Sequence, residues 1–284
     1  DSVNFQVYNK QNQTPETVAA VDETKGQVLS YKGDIIETYY YSTSYGHTGD
    51  YEAWNLDKDA YGYLQGVWVR SEENPIDLSD EKSFLDYISN VDSACYESDL
   101  KYFRWNTVLD FQGKDETLLH TIADRKEHQP EAISYYKDTS KTETTDSCSN
   151  FGSLQAIKVV KRNQSGVILE LELDFQNGAV SVQSEYNMRA ILGCGITNIN
   201  LLDGSSVEMS ILPSAYISIQ EKGDGTYAVL GGGYGHGIGM SQNGAQKLCG
   251  QGFDYKRILN YFYQDTELTE LYQPQNTTKE EGGA

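Results

Sequence analysis

What the chain lacks narrows its reading first. No stretch approaches the ~20 apolar residues that a membrane-crossing helix needs, and no secretory leader opens the sequence. The first residue is Asp1 rather than methionine, as expected of a trimmed product with a removed signal or a membrane anchor upstream. Cysteine occurs four times, as Cys95, Cys148, Cys194 and Cys249, and never as Cys-x-x-Cys. That argues against a zinc ribbon or a thioredoxin-type site. An even count in an exported chain allows two disulfides, and 95–148 with 194–249 is the expected pairing. Basic residues are scarce, 22 Lys and Arg against 42 Asp and Glu, for a formal net charge of −20. Phosphate polymers are repelled by such a chain, so nucleic acid is not an expected partner. An uncharged polymer or a polar sugar is easier to accommodate. Phenylalanine is sparse beside tyrosine, 8 against 22. Tyrosine offers a flat apolar face and a hydroxyl, which suits sugar-binding grooves and exposed β-sheet alike.

The 284 residues fit one large domain or two lobes. Val3–Tyr8 alternates like a strand. Thr14, with Pro15 behind it, reads as the cap of a helix over 15–21. Strands follow at Gly26–Tyr31 and Ile35–Tyr41 around a Lys32-Gly33-Asp34 turn. Residues 50–70 are aromatic without clean periodicity, ending in a strand over 63–69. Ser79-Asp80-Glu81 caps a helix bearing Phe84, Leu85 and Ile88. Residues 112–150 are polar and read as an insertion or mobile arm. His120 and His128 share a helix face there, without further metal ligands nearby. From Leu154 the pattern is β, with an Asn177-Gly178 hairpin turn. A helix covers 184–192, and an edge-like strand 211–218. Two helices follow, 241–248 and 255–263, and a polar, disordered tail over 273–284. The expected fold class is α+β: β-rich, mostly antiparallel strands and hairpins with a few helices, in two lobes around a cleft.

Two loops carry the chemistry. Gly231–Gln246 holds six glycines in its first nine residues and includes His236. Glycine at this density lets the backbone approach another group closely. His236 therefore reads either as a site residue or as a tie from the loop to a carbonyl. Ser42–Gly49 is rich in hydroxyls, contains His47 and ends a strand, where scaffolds place working residues. No P-loop lysine is present, so a phosphate-cradling loop is not expected.

The run Gly233-Tyr234-Gly235-His236-Gly237-Ile238-Gly239-Met240-Ser241-Gln242-Asn243-Gly244-Ala245 resembles the signature of the stage II sporulation protein D (SpoIID) family, which includes the amidase enhancers of cell-wall metabolism. Further resemblance lies at Ala20–Leu29, Tyr41–Thr48, Trp105, Arg189–Gly193 and Leu212–Ile219. It covers roughly 3–70 and 150–270, so residues 1–272 read as one SpoIID-like domain with the insertion at 112–150. The resemblance implies a bacterial, extracytoplasmic protein, in the cell wall or membrane-anchored at the outer face. It implies peptidoglycan glycan strands as substrate and lytic transglycosylase activity, with engulfment during sporulation the best-known setting. A cell-wall amidase is an implied partner. Supporting residues would be His236, Ser241 and Gln242, and sugar would be held by Tyr41, Ser44, His47, Thr48, Tyr234 and Arg189. Some members bind zinc, but the ligands are not matched here, so no cofactor is expected. The family's catalytic glutamate lies in a Glu-Met-Pro segment before an Ala-rich helix. Neither is in this sequence, so by the resemblance that acid is expected upstream of Asp1 or on a separate chain. The alternative is a non-catalytic module that binds glycan or modulates an amidase. Within the chain, Asp50 and Glu52 are the carboxylates nearest the second loop.

Overall fold

A computed structural model of the chain describes residues 12–72 and 76–271. The strand expected at Val3–Tyr8 and the tail at 273–284 lie outside the described residues. The helices are α1 (Pro15–Glu23), α2 (Lys58–Tyr61), α3 (Glu81–Ile88), α4 (Asp115–His128), α5 (Glu185–Gly193), α6 (Gln242–Gly250) and α7 (Tyr255–Phe262). The strands are β1 (Gln27–Tyr31), β2 (Asp34–Ile35), β3 (Tyr40–Tyr41), β4 (Trp105–Asp110), β5 (Ile133–Tyr136), β6 (Thr144–Thr145), β7 (Leu154–Arg162), β8 (Ile168–Phe175) and β9 (Gly178–Val182). They continue as β10 (Ile199–Leu201), β11 (Ser206–Val207), β12 (Ile217–Glu221), β13 (Thr226–Gly231), β14 (Met240–Ser241) and β15 (Glu267–Glu270). The class is α+β, and every paired strand is antiparallel except β3 with β14.

The chain divides into two units, 1–37 with 266–284 and 38–265. The first contains α1 and a sheet of order β15-β1-β2. Thr14 caps α1 as expected: its hydroxyl accepts from the Thr17 amide while the Thr17 hydroxyl accepts from the Thr14 amide. Lys32 and Gly33 turn β1 into β2 with positive φ.

The second unit holds two five-stranded sheets, β11-β10-β4-β13-β12 and β6-β5-β9-β8-β7. Its main core takes Leu109 from β4, Leu173 from β8 and Val180 from β9, with Leu118 and Ile122 of α4 and Ile191 of α5. Leu118 and Ile122 are four apart, one helical turn, so one stripe of an otherwise polar helix is buried. Residues 112–150 are therefore not a mobile arm. They form α4, β5 and β6, and Ile133 and Tyr135 of β5 enter the same core. Their low hydrophobicity reflects a few core contacts per element, with the other face solvated. The expected strand at 211–218 begins instead at Ile217, and it is the sheet edge.

The four cysteines are free thiols, against the expected pairing 95–148 and 194–249. Cys148 is built into the main core, whereas Cys95 packs against Tyr87. Cys194 donates to Thr121 Oγ1 at 3.2 Å, and Cys249 is exposed on α6.

Candidate functional site: two docked loops and a cavity

The two loops singled out in the sequence meet. β3 and β14 pair in parallel, with Tyr40 opposite Met240 and Tyr41 opposite Ser241. Beyond the pair, the Thr43 amide donates to Tyr234 O at 3.2 Å and the Tyr234 amide to Thr43 O at 2.8 Å. The Gly49 amide reaches Gly237 O at 2.6 Å. The Trp105 indole N–H donates to Gly233 O at 3.0 Å, holding the same loop from β4. Glycine is required by this closeness. At Gly237 φ is +81°, and an added Cβ would lie 2.2 Å from the Tyr216 ring.

His236 is engaged at both ring nitrogens. Nδ1 lies 3.1 Å from the Ile238 amide and must accept, so Nε2 carries the proton and donates to Tyr40 O at 2.9 Å. Burial holds its pKa below the usual value, favouring this neutral tautomer. Its ring packs against Tyr41 and Trp54. His47 is buried with its ring edge-on to Trp68. Nδ1 contacts Thr48 O at 2.6 Å, which makes Nδ1 the protonated nitrogen and Nε2 the basic one. Burial pushes its pKa down to about 4.

Between the loops lies a group that sequence reading missed. Glu97 is wholly buried. Its carboxyl accepts from both the hydroxyl and the amide of Ser44, the latter at 3.1 Å, and from Ser241 Oγ at 2.7 Å. Each serine also serves its own loop. Ser44 Oγ accepts from the Gly46 amide, and Ser241 Oγ accepts from the Gly244 amide at the start of α6. Burial pushes the Glu97 pKa up to about 7, against the opposing pull of the two serines. No local signal marks Glu97, because its partners lie 53 and 144 residues away.

The remaining expected residues are distributed around this core. Thr48 is buried and accepts from the Val67 amide at 2.9 Å. Tyr41 is buried, with a hydroxyl that has no hydrogen-bond partner. Tyr234 stacks on Tyr102 with centroids 4.4 Å apart. Arg189 pairs with Glu185 at 3.0 Å and donates to Leu212 O. Gln242 is exposed at the start of α6. Structure thus brings Ser44, Ser241, His236 and Tyr41 to one seam.

Beside the seam is an open cavity of about 860 Å³, lined by His47, Trp68, Asp50, Asp77, Ser165 and Gln264 among others. Asp50 caps the 3-10 turn Tyr51–Trp54 through the Glu52 amide and accepts from Ser165 Oγ at 2.6 Å and Asn163 Nδ2 at 2.9 Å. The same Asn163 nitrogen reaches Glu52 Oε2 at 3.0 Å. Burial raises the Asp50 pKa, whereas hydrogen bonds from Ser79 lower that of Asp77. Among the described residues, no three of His, Cys, Asp and Glu are grouped to hold a metal ion.

A mixed α+β unit whose glycine-histidine loop is docked on a serine-threonine strand end defines the class. A family model described as "Domain of unknown function (DUF8618)" matches residues 125–239. The chain is 26% identical over 283 residues to the amidase enhancer of Bacillus subtilis, covering 95% of this chain and 35% of that protein. It is 36% identical over 76 residues to stage II sporulation protein D of the same organism, covering 26% of this chain and 22% of that protein. The chain thus spans about a third or less of the length of these relatives. These matches make the chain homologous to the amidase enhancer over nearly its whole length and to stage II sporulation protein D in part. No helix among the described residues is long and apolar enough to cross a membrane.

Proposed function

We propose that this chain binds the glycan strands of peptidoglycan and takes part in their cleavage by a lytic transglycosylase reaction. The observation that carries the reading is the cavity of His47 and Trp68 beside the docked loops, in a chain homologous to an amidase enhancer over 95% of its length. In such a reaction a carboxylic acid gives its proton to the glycosidic oxygen, and the bond from that oxygen to C1 breaks. The muramyl C6 hydroxyl closes on C1, and its proton returns to the carboxylate, leaving a 1,6-anhydro end. One carboxyl alternating between acid and base suffices, unlike the pair used by most glycosidases. Within this chain Asp50 is the best supported proton carrier. It borders the cavity, and its environment and that of Asp77 push the two pKa values apart.

The test is to incubate denuded glycan strands with the chain and analyse the ends by mass spectrometry. Anhydromuramyl ends are expected with the native sequence and not with Asp50→Asn. Retention on insoluble peptidoglycan without such ends refutes cleavage by this chain, and no retention refutes the whole reading. A second reading is a module that holds glycan or modulates a cell-wall amidase. It is favoured by the engagement of His236, Ser44 and Ser241 with the protein itself. It expects amidase activity on purified walls to change when the chain is added.

A further inference from the structure

A second cavity, of about 830 Å³, lies next to the first, and both include Tyr51 and Lys58 in their walls. We propose that the two cavities form one extended trough that takes an oligosaccharide of N-acetylated sugars, with the 51–58 segment as the wall common to both halves. This rests on the glycan reading above and adds to it a second subsite built from other parts of the chain.

Three observations converge. The first is continuity: Asp50 borders one cavity and Glu52 the other, and the two carboxylates share the amide of Asn163. Each cavity alone has the size of a site for a drug-sized ligand, so the pair exceeds what a single sugar fills. The second is the chemistry of the walls. Carboxamides recur in both halves, Asn55, Gln129 and Gln183 in one and Gln65, Gln164 and Gln264 in the other. A carboxamide both donates and accepts, which matches acetamido and hydroxyl groups. Aromatic faces stand beside them, Trp68 in the first half and Trp54 and Tyr186 in the second. Tyr186 is 46% exposed and backed by the Arg125 guanidinium at 4.9 Å. The third is charge. Lys58 and Lys161 are outnumbered by Asp50, Glu52, Asp77, Glu131 and Glu170, so a densely charged polymer such as a polyphosphate is disfavoured.

The second half also explains what residues 112–150 contribute. Its far wall is Gln129–Ala132, where α4 turns into β5, together with Gln183, Ser184 and Tyr186, where β9 enters α5. The five-stranded sheet completed by this stretch thus extends the site rather than decorating it.

Calorimetric titration with the disaccharide and the hexasaccharide of β-linked N-acetylglucosamine tests the trough. The hexasaccharide is expected to bind at least about tenfold more tightly. Tyr186→Ala, an exposed change that leaves the core intact, is expected to remove most of that gain and leave disaccharide affinity unchanged. Trp68→Ala is expected to weaken both ligands. Equal affinity of the two sugars, or a Tyr186→Ala variant that keeps the gain, overturns the trough while leaving glycan binding at the first cavity standing. Binding of neither sugar, together with no retention on peptidoglycan, overturns both. An effect of Tyr186→Ala confined to strands that carry stem peptides assigns the second half to peptide and also overturns the proposal.

Discussion

Glu97 sits among three hydrogen-bond donors at zero exposure. All three suit a carboxylate. Protonation would make one oxygen a donor and force a serine to turn its hydroxyl around, away from the arrangement that also receives the Gly46 or Gly244 amide. Burial opposes ionisation and prevails, raising the pKa from 4.5 to about 7. A folded-state pKa above the ordinary value stabilises the protonated form. That contribution is complete below the ordinary value and is lost as pH rises through about 7. The whole shift corresponds to at most on the order of 3 kcal/mol. Denaturant titrations should therefore show the native chain losing stability between mildly acidic and mildly alkaline pH. Glu97→Gln, which keeps one acceptor and cannot ionise, should flatten that dependence. An unchanged pH profile in Glu97→Gln would show that Glu97 does not set it. Tyrosine has its own account at this scale. Tyr45, Tyr87 and Tyr263 are buried, and each hydroxyl donates to a backbone carbonyl of a loop or its neighbour. These tyrosines therefore anchor irregular backbone, which phenylalanine could not do.

Among the elements, the glycine-histidine loop is held by what its glycines omit. Gly237 and Gly252 have similar backbone angles, φ +81° and +85°, but different surroundings. An added Cβ at Gly237 meets Tyr216 at 2.2 Å, whereas nothing lies within 4 Å at Gly252. Gly252→Ala should cost only the left-handed strain, about 1 kcal/mol. Gly237→Ala adds displacement of a buried ring and should cost about 3 kcal/mol or more. Thermal denaturation of the two variants compares them directly, and equal losses would show that Tyr216 yields without cost. The seam between β3 and β14 is short, yet Trp105, Glu97 and His236 brace it from three directions. The strand expected over 35–41 is split into β2 and β3, and β3 leaves the antiparallel β1-β2 hairpin to pair in parallel with β14. That change of partner is what brings Tyr41–Gly49 against Gly231–Gln246.

For the molecule as a whole, the net charge of −20 governs approach to any polymer. Cell-wall preparations that carry anionic polymers should repel the chain at low ionic strength and hold it better as salt screens the repulsion. Pull-down on such walls across a salt series should show retention rising, the opposite slope to that of a nucleic-acid binder. Falling retention would place a basic contact at the interface. The main core shows the same economy of apolar residues. α4 buries only Leu118 and Ile122 fully, with Leu119 packed against the same core, and exposes most of its polar side chains to water, so the acidic composition coexists with a packed interior.

The sequence by itself determined the elements whose signals are local: the Thr14 cap of α1, the Asp80 cap of α3, the β8–β9 hairpin at Asn177-Gly178, and the two helices after the glycine loop. It also marked both loops of the seam, because glycine and histidine at that density have no use in an ordinary core. Only the tertiary structure decided that the loops dock on each other, that His236 spends both nitrogens on backbone, and that Glu97 is buried between Ser44 and Ser241. Those outcomes depend on contacts across tens to hundreds of residues, where desolvation and hydrogen-bond satisfaction choose the partner and no sequence period records it. The same holds for residues 112–150. Their polar composition was legible, but which few side chains face the core was fixed by the sheet that β5 joins.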